Sequence, residues 1–373
     1  MIGDTAGSSQ PPRRLWSLPQ HRLKSHQPII TYMSTEDTRD QEAQADHPGS
    51  DIKATHEQGS LGTSDAETRQ LEVLEQRKRT LGLEHADTIL ASADLASIYD
   101  AQGRWDEAEV LQLAVLEQRR RTLGIEHQDT IAAVAQLATT YSNQGRWSDA
   151  EKLRLEVFEQ RKKSLGLGHP DTVSAAADLA TVYSNQCRWD EAEKLQLEVL
   201  NQQKKLLGEE HAEYIAAASN LAATYSEKEQ WDKAEKLQQE VLDLSKRVLG
   251  MDLPGTLTAA ENLGGIYRDQ GKWAEAEVLE LEVLEGRRRT LGTEHPDTIA
   301  AAGNLAVTYT AQEKWEQSEE LLVTTLDISI KVLGGQHPTT EDLQCNMLIM
   351  YQKWDDAQKA EALLASEFEG TWL

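Results

Sequence analysis

Arg104-Trp105-Asp106-Glu107-Ala108-Glu109 returns as Arg146-Trp147-Ser148-Asp149-Ala150-Glu151 and again as Arg188-Trp189-Asp190-Glu191-Ala192-Glu193. The tryptophan continues at Trp231, Trp273 and Trp315, and every step is 42 residues. Self-similarity at a fixed period marks a repeat architecture, in which each unit buries its apolar face only against its neighbours. Tyr99, Tyr141, Tyr183, Tyr225, Tyr267, Tyr309 and Tyr351 keep the same step, as do Leu-Gly pairs from Leu81-Gly82 to Leu333-Gly334. Trp354 arrives three residues early. The deletion falls in a predicted turn, where changes of length are tolerated.

Working outward from Trp147, one period predicts two helices. Upstream, Ile131, Val134, Leu137, Ala138 and Tyr141 recur at spacings of three and four, the periodicity of an amphipathic helix. Asp129 stands before them as an N-cap or first-turn anion. Gly145 closes this helix in Ser142-Asn143-Gln144-Gly145, since glycine accepts a left-handed C-terminal conformation. The second helix begins at Trp147, with Asp149 and Glu151 in its first turn and Arg161-Lys162-Lys163 at its end. Both charge biases complement the helix dipole. Trp147, Ala150, Leu153, Val157 and Phe158 form its apolar stripe, so the tryptophan ladder is expected to fill the space between helices. Neither helix buries its stripe alone. The pair is therefore expected to pack antiparallel and to stack on the next pair.

The expected fold is all-α: an α-solenoid of about seven helix-turn-helix units plus an N-terminal half repeat. The solenoid spans residues 63–370: a half-repeat helix at 63–82, then units at 86–124, 128–166, 170–208, 212–250, 254–292, 296–334 and 338–370. The fifth boundary, Gly250 to Gly255, lacks the usual histidine and acid. Residues 1–62 show no apolar period and read as a disordered polar tail. Its first part is mildly basic through Arg13, Arg14, Arg22 and Lys24, and no apolar segment of a secretory signal precedes a cleavage site.

Leu291-Gly292-x-x-His295-Pro296-Asp297-Thr298, followed by Asn304-Leu305-Ala306, Tyr309 and Lys314-Trp315, resembles the tetratricopeptide repeat, in the 42-residue form of kinesin light chains. Gly271-Lys272-Trp273-Ala274-Glu275-Ala276-Glu277 supplies the second-helix half of that pattern. Trp stands where the family usually has Tyr. The resemblance implies a right-handed superhelix whose first helices line a concave groove. It places the residue before the central leucine of each first helix in that groove: Asp94, Gln136, Asp178, Asn220, Asn262, Asn304 and Asn346. In this family an asparagine there typically bonds the backbone of an extended peptide, and a side-chain amide both donates and accepts as a peptide unit does. Asn143 and Asn185 are further expected groove positions, with Ala135, Thr139, Asp100, Glu227, Glu261 and Asp269, and Arg268 is the main cation. The groove is therefore expected to prefer neutral or basic peptide segments.

A formal charge of −25 speaks against general nucleic-acid binding, which needs a basic footprint. Cys187 and Cys345 are the two cysteines. They form no disulfide framework or zinc spacing, which suits a reducing, cytoplasmic setting. No apolar run reaches the roughly 20 residues that span a membrane. His85, His127, His169, His211, His295 and His337 each fall in a different repeat and read as turn residues, not metal ligands. No phosphate loop, nucleophile elbow or HExxH appears. No enzyme activity, catalytic residue, metal or cofactor is expected. The expected partner is a protein or peptide, and the expected state is a monomer or weak end-to-end self-association. Basic runs such as Arg119-Arg120-Arg121 and Arg287-Arg288-Arg289 either form a ridge for acidic partners or only complement the dipole. The resulting reading is an adaptor or scaffold. A structural, self-assembling array and a sensor fragment of a larger signalling protein are the alternatives.

Overall fold

A computed structural model describes residues 55–356 and 359, with side chains from residue 66 onward. Among the described residues every regular element is a helix: α1 (Thr55–Leu81), α2 (Ala86–Ala101), α3 (Trp105–Thr122), α4 (Gln128–Asn143), α5 (Trp147–Leu165), α6 (Pro170–Asn185) and α7 (Trp189–Leu206). They continue as α8 (Ala212–Glu227), α9 (Trp231–Val248), α10 (Pro254–Asp269), α11 (Trp273–Thr290), α12 (Pro296–Ala311), α13 (Trp315–Val332) and α14 (Pro338–Lys353). Consecutive helices pack on one another along the whole series, which makes an α-solenoid of repeats. Even-numbered helices are the first helices of units one to seven. The expected second helix of unit seven and most of the expected tail lie outside the described residues. The half-repeat helix begins at Thr55, earlier than 63. No proline interrupts residues 55–81, so nothing in the backbone stops the helix from extending upstream.

The turns explain the period. His85, His127, His169, His211, His295 and His337 are the N-caps of their first helices, each Nδ1 accepting the N–H two residues on at 3.2 Å. They do more than fill a turn, and Asp129, read as an N-cap or first-turn anion, is the first-turn anion behind the His127 cap. Unit five, which lacks the histidine, starts at Leu253 without a side-chain cap. Between the two helices of a unit one residue must be left-handed. Gly103, Gly145 and Gly271 supply it at φ of 71°, 71° and 72°, while Cys187, Glu229 and Glu313 take the same place at 58°, 56° and 59°.

Within a unit the second helix buries an alanine completely. Ala108, Ala150, Ala192, Ala234 and Ala276 have no exposed surface. Leu95, Leu137, Leu179, Leu221, Leu263 and Leu305 are buried beside them. Trp315 packs against a core cluster, but the earlier tryptophans of the ladder do not fill this core. Trp105 is 37% exposed, and Trp147, Trp189, Trp231 and Trp273 are half-buried. Each is the first residue of its helix, so its ring sits at the turn while alanine occupies the inward position one turn later.

The units are joined by a clasp that spacing alone did not disclose. Glu151 accepts Gln186 Nε2 at 2.9 Å and Arg188 Nη1 at 2.7 Å from the next unit. The same arrangement joins Glu109 to Gln144 and Arg146, Glu235 to Gln270 and Lys272, and Glu277 to Gln312 and Lys314. The arginine lies over the tyrosine ring of its own unit, 4.3 Å from the Tyr183 centroid for Arg188, a favourable cation–π placement.

Because the leucine, not the tryptophan, is interior, Leu179→Ala (1% exposed) should cost about 2–5 kcal/mol. Trp189→Ala should cost clearly less in the same urea titration. A larger loss for the tryptophan variant would place the ring in the core after all.

Candidate functional site

Most first helices keep one stripe out of the core, at four positions spaced four, three and four apart. In α4 these are Ala132, Gln136, Thr139 and Asn143, and in α6 they are Ser174, Asp178, Thr181 and Asn185. Side chains between the clasped ends of the helices thus share one face of the solenoid. The expected site residues all fall on this stripe, one or two per unit, and their surroundings differ.

Asp94 is exposed and accepts from Gln70 at 3.3 Å. Gln136 is exposed and donates to Asp100 at 3.0 Å. Asp178 is paired with Arg154 at 2.6 Å. Asn143 and Asn185 are exposed, the latter donating back to the Thr181 carbonyl at 2.9 Å. Asn220, Asn304 and Asn346 are half-buried, and Asn304 donates to Glu261 at 3.1 Å. Asn262 departs from the expectation. It is 4% exposed and donates to Ser219 at 3.3 Å. Here α8 and α10 touch directly, because Ala216, Ala223 and Gly265 occupy stripe positions with little or no side chain. The asparagine ladder is therefore interrupted at unit five.

The floor of the stripe comes from the second helices, at Gln112, Arg154, Gln196, Gln238, Glu280 and Leu322. Sequence reading passed over this position because its chemistry is not constant along the array. Glu280 is the extreme case. It is 4% exposed, with a carboxyl oxygen 3.2 Å from Arg268 Nη1. A Cβ on Gly264 would lie 3.4 Å from Glu280 Cγ, in ordinary contact. Burial pushes the Glu280 carboxyl up to about 7, a rise that Arg268 and the Thr308 hydroxyl only partly oppose. Asp269, on the accessible end of α10, is pushed up to about 6 by desolvation despite Arg268 beside it, and Glu227 raises it further. Glu227 is itself raised by burial. The clasp acids behave oppositely. Burial pushes Glu151 up, but Arg188 and Gln186 outweigh it and leave the carboxyl below its usual range.

The basic helix ends form no free ridge. Arg119, Arg161 and Arg287 donate to the first-turn carbonyls of Asp129, Asp171 and Asp297 at 2.8, 2.9 and 3.0 Å. Arg120 pairs with Glu156 at 2.9 Å, Lys163 with Glu126 at 2.6 Å and Arg289 with Asp252 at 2.5 Å. Most of these charges are spent within the repeat array. Among the described residues there is no group of three or more His, Cys, Asp or Glu that could hold a metal ion, and no helix long and apolar enough to cross a membrane.

The tetratricopeptide repeat model matches residues 90–163, 171–247, 214–289, 255–323 and 297–369. The chain belongs to the tetratricopeptide repeat family. A putative kinesin light chain of Podosopora anserina with nearly identical TPR-like repeats is similar at 28% identity and a TM-score of 0.50, over 54% of this chain and 95% of that one. BtubC (BKLC) of P. vanneervenii is similar at 20% identity and a TM-score of 0.51, over 67% and 94% of the two chains. The apo quorum sensor NprR of B. thuringiensis reaches a TM-score of 0.62 at 12% identity, over 90% and 92%. The last two likenesses show the fold alone. Among curated proteins, none matches the chain.

The raised Glu280 gives this tetratricopeptide array a pH signature. A carboxyl whose folded value lies above its ordinary 4.5 binds its proton more tightly when folded, so stability falls as pH rises from about 4.5 to about 7. Glu280→Gln should remove up to on the order of 3 kcal/mol of that fall. Urea titrations of both chains from pH 5 to 8 should diverge upward in pH, with the variant the more stable at pH 8. Parallel profiles would show that Glu280 is charged at little cost.

Proposed function

We propose that the chain is a non-enzymatic adaptor that binds an extended protein segment along the face of its first helices, and that this segment is neutral or basic. The observation that carries the reading is the contrast between the two faces. The basic ends of the second helices are largely neutralised by the array itself. The first-helix stripe keeps exposed amides at Asn143 and Asn185 and raised carboxyls at Glu227 and Asp269.

Exposed amides offer both donor and acceptor to a peptide backbone. Carboxyls lifted by desolvation gain from an arriving cation, which restores the interactions that water supplied. A second acid brought to the same place would add like-charge repulsion. Membership of the repeat family and likeness to a putative kinesin light chain support protein binding as the general role.

Labelled decapeptides of Ser, Asn and Gly carrying either two lysines or two aspartates provide the test. The basic series should bind at least about threefold more tightly at low ionic strength, and added salt should narrow the gap. Glu227→Gln with Asp269→Asn should abolish the preference, and Asn143→Arg with Asn185→Arg should weaken both series. Tighter binding of the acidic series would overturn the proposed preference.

A further inference from the structure

The junctions between successive first helices can be compared position by position, because the 42-residue step fixes which side chains meet there. At four of the six the gap is filled, and at a fifth, between α6 and α8, the floor is the buried Gln196. Between α4 and α6, Arg154 spans it, with Nη1 2.6 Å from Asp178 and Nη2 2.8 Å from Thr139. Between α8 and α10, Gln238 donates to the Ala259 carbonyl at 2.9 Å and Asn262 to Ser219 at 3.3 Å. Between α10 and α12, Arg287 grips Glu261 through both nitrogens at 3.1 and 2.7 Å, and Asn304 joins them. Between α12 and α14, the buried Leu322 and Leu343 close it, and a Cβ on Gly303 would lie 3.1 Å from Leu343.

The junction between α2 and α4 is open. Gln112, in the place of Arg154, is drawn aside: its amide donates to Asp100 at 2.6 Å and accepts from Thr140 at 2.8 Å. Gln136, in the place of Asp178, also turns to Asp100, at 3.0 Å. The walls at Ala93, Ala132 and Ala133 are too short to fill the space. A cavity of about 170 Å³ remains, floored by Gln112 and Val115 and bounded by Ser97, Arg119 and Gln136. That volume is below the roughly 300–1,000 Å³ of small-molecule sites, so it suits one side chain.

We propose that this cavity receives one uncharged apolar side chain, of leucine to phenylalanine size, from the extended segment bound on the first-helix face. The inference rests on the peptide-binding reading above. Its chemistry follows from the lining. Ala93, Val115, Ala132 and Ala133 are apolar, and the polar neighbours already have partners, Arg119 on the Asp129 carbonyl at 2.8 Å and both glutamines on Asp100. A lysine would face Arg119, and a carboxylate would sit near Asp100 behind the floor. An apolar group meets neither penalty and removes its own surface from water.

Phage-displayed random decapeptides selected on the native chain provide the test, with two plugged variants as counter-targets. Gln112→Arg with Gln136→Asp installs the pair that Arg154 and Asp178 form one unit later. Ala132→Leu fills the gap from an exposed wall position, and circular dichroism checks that both variants fold. Selected peptides should share an apolar residue at one position. Changing it to serine should weaken binding to the native chain on the order of tenfold and leave the weaker binding to both folded variants unchanged. Peptides that bind the native chain and the variants equally would overturn the pocket and leave the face reading intact. No enrichment on the native chain would overturn both.

Discussion

Glu151 with Gln186 and Arg188 is the bond on which the rest of the array depends. A two-helix unit has one wet side and one apolar side, and it holds its place only if its neighbour is set at a fixed angle. The clasp ties neighbouring units together. It ties the first turn of one second helix to the turn of the next unit, 35 and 37 residues on, and the arginine is seated on a tyrosine that also belongs to the core edge. Unit four shows how strongly this is required. Lys228 stands where the glutamine should be and Gln230 where the arginine should be. The exchange keeps one cation at the junction, and Lys228 reaches both Asp190, at 2.6 Å, and Glu193. Different side chains have arrived at the same electrostatic closure.

The same economy of charge disposes of most of the surface. A chain of −25 would ordinarily repel itself when compact. Here the acids of the first turns, the loop acids and the basic helix ends are interleaved by the repeat, so neighbouring units attract at their edges. What escapes this pairing lies on the first-helix stripe, above all Glu227 and Asp269. Glu227 is raised because its carboxyl is buried without a matched cation, and Asp269 is raised by desolvation that Arg268 beside it only partly opposes.

The architecture was legible because the period is written several times over, in tryptophan, tyrosine and Leu-Gly. Position within a helix was also legible, and the stripe could be read residue by residue. Depth was not. The tryptophan ring resembles a core residue in any hydropathy reading, but as the first residue of its helix it lies beside the turn. Asn262 has the same helical position as Asn220 and Asn304, yet it is buried because Gly265 and the alanines of α8 let two helices close over it. Burial there depends on the size of residues in the neighbouring unit. The histidine caps were visible as a period, but the acceptor geometry of Nδ1 was not. The clasp could have been found, since Glu and Gln-x-Arg or Gln-x-Lys keep the step.

A solenoid held by its clasps is free to vary wherever the clasps do not reach. The floor residue of each second helix is such a place: glutamine, arginine, glutamine, glutamine, glutamate and leucine follow one another at Gln112, Arg154, Gln196, Gln238, Glu280 and Leu322. Arg154 is met locally by Asp178 and Thr139, and Glu280 by Arg268. Individuality in this molecule therefore lies where the period breaks, on one face and between first helices. A ligand that reads the array must read those breaks, because everything that repeats offers the same contact at every unit and cannot fix a register along the groove.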